Sequence, residues 1–151
     1  MYAFDINLKN RVILNKFMEK FTPEQLNTIP KGFNNNLIWN IGHVVATQQL
    51  LVYGLSGNTP KVPAYVIDKY KKGTAPDGNA STEEITEIKS LLFSTLETLE
   101  SDYNASLFTD FKEYTLSTTG GTLHSIEEAI EFNNFHEGLH LGSCLALSRL
   151  I

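Results

Sequence analysis

The sequence predicts an all-α protein, a four-helix bundle formed as one domain over residues 1–151. Three observations carry that reading. Four segments place apolar residues three and four apart, the spacing of one helix face. Serine followed three residues later by glutamate, a helix-start signal, opens two of them. One long proline-bearing connection separates the second segment from the third, enough chain to run from one end of a bundle to the other.

The first helix is expected from about Ile6 to Phe21, with Ile6, Ile13, Phe17 and Phe21 on its apolar side. Thr22-Pro23-Glu24 then supplies an N-cap and a first-turn proline for a short extra turn. The second helix is expected from about Asn35 to Leu55, capped by Asn34 or Asn35 and stopped at Gly57. Leu37, Ile41, Val44, Gln48, Leu51 and Leu55 form its stripe, which Ile38, Val45 and Val52 widen, so it should be the most buried of the four. Residues Gly57 to Ser81 hold three of the five prolines, with a short helical turn expected over Tyr65–Tyr70. Ser81 and Glu84 open the third helix, whose Ile85, Ile88, Leu92, Leu96, Leu99 and Tyr103 run to about Asn104. Phe108 to Leu123, around Gly120-Gly121, reads as a small hairpin or ordered loop. Ser125 and Glu128 open the fourth helix, which no proline interrupts before the C-terminus.

Composition narrows the function classes. Twelve Lys+Arg stand against 17 Asp+Glu, a net charge of −5, with no basic cluster to hold nucleic acid or an anionic membrane. Leu37 to Leu55, the most apolar region, is broken by Asn40, His43, Gln48 and Gln49 and is too polar to span a bilayer. The single cysteine, Cys144, forms no internal disulfide, and the first residues show no signal-peptide pattern. Both fit a cytoplasmic protein.

The four histidines are the most informative residues. His136 and His140 lie four apart, about 40° from each other on one helix face, so two imidazoles can reach one ion. His43 sits midway along another buried helix beside Gly42. Three neutral imidazoles fill a core poorly unless something satisfies their nitrogens, and one metal ion satisfies all three. His124 precedes His136 by 12 residues, ~18 Å along a continuous helix, and is read as a surface or helix-start residue. His136-Glu137-Gly138-Leu139-His140 also spells the H-E-x-x-H of zinc proteases, but no His, Asp or Glu follows His140 to complete such a site. Glu137 remains a candidate general base beside the ion. Cys144, one turn beyond His140, is read as a small core residue rather than a fourth ligand.

Trp39-Asn40-Ile41-Gly42-His43, together with His136-Glu137-Gly138-Leu139-His140-Leu141-Gly142, resembles the DinB family of bacterial proteins. The order of helices, the long connection after the second and the short loop before the fourth extend that resemblance over nearly the whole chain. One departure is Ser143, where the family often has glutamine. The resemblance implies an up-down-down-up bundle, a homodimer, and one divalent metal ion (nickel, zinc or iron) on His43, His136 and His140. It further implies transfer of a low-molecular-weight thiol to a small electrophile. Three protein ligands leave positions open, as catalytic metal sites do. The expected reaction is therefore metal-dependent S-transfer on a small-molecule substrate, in a groove near Trp39, Asn40 and Asn133. Metal-dependent hydrolysis with Glu137 as base, or a non-enzymatic metal-binding stress-response module, are the alternatives.

Overall fold

The computed structural model describes residues 1–151, and the chain is all-α apart from one two-residue hairpin. Its elements are α1 (Tyr2–Lys20), α2 (Pro23–Asn27), α3 (Leu37–Gln49), α4 (Ala64–Tyr70), α5 (Thr82–Asn104), β1 (Tyr114–Thr115), β2 (Thr122–Leu123) and α6 (Ile126–Leu147). The four long helices correspond to the four periodic segments. Of these, α1 packs on α5 and α6, and α3 packs on the same two. Leu14, Ile41, Val44, Val45, Ile88 and Leu92, all without solvent exposure, lie in the central apolar cluster. No helix is long and apolar enough to cross a membrane.

Helix α1 differs from expectation in both its start and its face. It begins at Tyr2, and Ile13 is 40% exposed. The buried stripe is Phe4, Asn7, Arg11, Leu14, Phe17, Met18 and Phe21, which keeps the three-and-four rhythm but passes through two polar residues. Phe17 and Phe21 lie on the buried side as expected, whereas Ile6 and Ile13 do not, their places being taken by Asn7 and Arg11.

Helix α3 starts at Leu37, two residues later than expected. Asn36 is the cap, its Oδ1 accepting from Trp39 N at 2.9 Å. The α-helix ends at Gln49, and Leu50–Gly54 continue as a π-helical turn. Leu51, Val52 and Tyr53 are buried in succession there, continuing the all-round burial of Leu37–Ala46 in α3. Gly57, at φ +71°, provides the left-handed stop.

Start signals work differently from one helix to the next. Ser81 and Ser125 cap α5 and α6 by accepting from Glu84 N and Glu128 N. Neither glutamate closes a reciprocal box. Glu84 turns to Lys69 and the Tyr70 hydroxyl, and Glu128 accepts from His124 N. The reciprocal box forms instead at α2, between Thr22 and Gln25. The hairpin pairs Tyr114 with Leu123 and Thr115 with Thr122, and it buries Leu116 and Leu123 against the π-helical turn and α6.

Candidate metal centre

Helices α3 and α6 bring His43, His136 and His140 together. One ligand nitrogen from each lies within 4.8 Å of the others, and the rings stand 4.5 to 5.1 Å apart. His43 and His136 are buried and His140 is half-buried. The single tryptophan, Trp39, stacks on His43 at 4.7 Å with the planes 10° apart.

Neighbouring groups orient two of the rings. His43 Nδ1–H donates to the Tyr70 carbonyl at 2.6 Å. His140 Nδ1–H donates to Asn40 Oδ1 at 2.8 Å, while Asn40 Nδ2 donates to Asn36 O and Asn35 Oδ1. An oxygen that can only accept fixes each Nδ1 as the protonated nitrogen and leaves Nε2 with its lone pair. On His43 that lone pair meets only the Thr47 hydroxyl, at 3.2 Å. His136 Nδ1 is buried without a partner.

Burial also keeps the rings neutral. His136 is held down to about 3 by burial first, then by the other two histidines and Arg11. His140 is lowered to about 4 by burial and by His43, and His43 is lowered by burial. Three neutral, converging imidazoles with Nδ1–H donated outward on two of them suit a divalent ion of the zinc, nickel or iron kind.

A segment far in sequence from the histidines builds part of this site. Tyr70 lies flat over Gly42, where a Cβ would meet its ring at 2.5 Å. Only glycine at 42 lets the Tyr70 carbonyl reach His43. Trp39 Nε1 donates to Thr74 Oγ1, and that hydroxyl donates to the carbonyls of Lys69 and Lys71. The chain after α4 is thereby clasped to the helix that carries His43. Sequence reasoning did not reach Tyr70 or Thr74, since only their non-local bonds give them a role.

Glu137 is not among the histidines' neighbours. It is fully buried on the α1 side of α6, where its Oε1 accepts from Arg11 Nε and Asn133 Nδ2, both at 2.9 Å, and lies 2.8 Å from Arg11 Nη2. Cys144 is fully buried, and burial pushes its thiol up to about 12. His124 is exposed at the start of α6, beside Glu128.

The cavity that reaches the histidines has a volume of about 410 Å3. Its walls are not those expected. Asn133 is buried under Glu137, Trp39 backs His43 and Asn40 holds His140. The lining comes instead from the end of α3, the π-helical turn, the hairpin and Phe132.

Fold and site together define an all-α protein with a three-histidine cluster, two of whose members, His43 and His136, line a mixed apolar and polar cavity. The chain belongs to the DinB superfamily, whose family model matches residues 8–144. No curated protein sequence matches it.

Proposed function

We propose that the protein is a metal-dependent enzyme of the DinB superfamily whose single domain, residues 1–151, forms an up-down-down-up bundle around one divalent ion. His43, His136 and His140 are its ligands. The observation that carries this reading is the convergence of three neutral imidazoles whose ligand nitrogens lie within 4.8 Å of one another. A bound ion would supply Lewis acidity, lowering the pKa of a thiol or water brought to it. The rest is the protein's work. Tyr70 and Asn40 orient two ligand rings, Trp39 covers His43, and the cavity receives the small substrate.

Between the two reactions, S-transfer draws more support than hydrolysis. The hydrolase reading with Glu137 as base loses support, because that carboxylate faces α1 and is engaged by Arg11 and Asn133. Thiol transfer needs no protein base once the thiol's pKa is lowered.

Homodimer formation is part of the proposal, through the outer face of α6. Phe135, Leu139 and Leu145 are 44–53% exposed there, and a Cβ added at Gly138 or Gly142 would meet nothing within 4 Å. Large and small residues on one uncharged face can interlock with the same face of a second copy.

Metal analysis of protein prepared without a histidine tag tests the centre. One ion per chain is expected, lost from His43→Ala, His136→Ala and His140→Ala and kept by His124→Ala. Conjugation of small thiols to an electrophile by the loaded protein, absent from the three ligand variants, tests the reaction.

A further inference from the structure

The cavity above the histidines carries one charged side chain. Lys72 lines it, and no aspartate or glutamate does. Lysines 69, 71 and 89 each pair with a carboxylate, but Lys72 pairs with none. Its only bond is donated to Ser117 Oγ, itself in the cavity wall. The remaining walls divide by chemistry. Leu50, Leu51, Leu55, Leu116 and Phe132 are apolar, while Thr47, Ser117 and Thr118 present hydroxyls.

The position of Lys72 is tied to the histidines through the backbone. Two residues earlier, the Tyr70 carbonyl accepts from His43 Nδ1. Two residues later, Thr74 accepts from Trp39 and bonds back to the Lys69 and Lys71 carbonyls. Lys72 therefore sits on a short span held at both ends by the residues that orient His43. Lys72 and Ser117 are solvent-exposed, so they stand at the mouth of the cavity, and a cation without a carboxylate partner at the mouth of a cavity without anions can receive an anionic group.

We propose that this cavity binds a small carboxylate with an apolar body, its carboxylate on Lys72 and the Ser117 hydroxyl and its hydrocarbon against Leu51, Leu55, Leu116 and Phe132. This rests on the reading of the cavity as the substrate site and narrows the substrate class. The carboxylate belongs either to the electrophile or to the thiol, and the same anchor serves both.

Calorimetric titration with hexanoate, 6-sulfanylhexanoate and 1-hexanol, on metal-loaded and metal-free protein, tests it. Hexanoate should bind both forms, and should bind at least tenfold more tightly than 1-hexanol. Lys72→Ala should weaken hexanoate about tenfold and leave 1-hexanol unchanged, and Lys72→Arg should restore most of the loss. Circular dichroism checks that the variants are folded. If 6-sulfanylhexanoate gains strongly over hexanoate only when metal is present, the carboxylate belongs to the thiol. Equal gains with and without metal assign it to the electrophile. Hexanoate binding that ignores Lys72→Ala overturns the proposal, and if such binding also requires metal, the carboxylate is a metal ligand and the metal reading stands. Protein that takes up no ion but still binds hexanoate through Lys72 would remove the metal reading and leave the anion site in place.

Discussion

At the scale of single residues, three imidazoles converge, and oxygens of Tyr70 and Asn40 that can only accept orient two of them. An i, i+4 pair of imidazoles and a third beside a glycine stand out in any helical reading, because polar rings on buried faces need a reason. Tyr70, Asn40 and Thr74 give no such signal, since each acts through one bond to a distant partner. Neutral burial has a consequence for stability. In the unfolded chain a histidine titrates near 6.5, whereas His136 and His140 are held at about 3 and about 4 in the fold. Below pH 6.5 the unfolded chain therefore binds more protons than the folded one, and stability falls as pH falls toward 4. One proton of difference is worth about 1.4 kcal/mol per pH unit. Urea unfolding of chelator-treated protein should show a loss of order 4 kcal/mol between pH 7 and pH 5, about 2 kcal/mol from each of the two rings. His136→Asn should flatten the slope. A wild-type profile with no slope would mean that the rings are solvated.

Among the elements, α1 shows how a polar residue can hide in a core stripe. Asn7 and Arg11 are fully buried and face α6, where Asn7 bonds Asn134 and Arg11 meets Glu137. Read by polarity they belong outside, and read by position they fall on the buried side. Glu137, singled out in the sequence by the H-E-x-x-H motif, is the partner of Arg11 in this buried pair. Sequence periodicity gave the existence and order of the helices, but a buried pair between helices that are distant in sequence leaves no local trace. Removing one partner of such a pair strands the other charge. Arg11→Met should cost about 3–5 kcal/mol in urea unfolding, and the double variant Arg11→Met/Glu137→Leu should recover most of that. A single variant as stable as the wild type would show that Glu137 takes up a proton or another partner freely. The glutamates at the starts of α5 and α6 teach a related point. The motif located both caps correctly, yet neither carboxylate turns back to its cap residue: Glu84 bonds Lys69 and Tyr70, and Glu128 accepts from the His124 amide.

For the whole molecule, α6 is the element with two faces. Its inward side carries the histidines and Glu137, and its outward side carries Phe135, Leu139 and Leu145. If that outward side is where two copies meet, Leu139→Glu should convert a dimer to a monomer in light scattering at micromolar concentration. Metal content should be unchanged, since Leu139 faces away from the ligands. A dimer that survives the substitution would place the interface elsewhere. The π-helical turn of Leu50–Gly54 has a consequence of another kind. It acts as a phase slip of the helical screw. Upstream of it, the winding is set by His43 in the histidine cluster; downstream, it is set by the Tyr53 hydroxyl, which donates to Asp102 on α5. With regular α-winding throughout, one of these two registers would be lost, by about 100° for each residue of offset. The slip reconciles them, and the widened groove it leaves beside Leu50, Leu51 and Gly54 is a wall of the cavity. The binding chamber is thus partly the by-product of two incommensurate anchors on one helix.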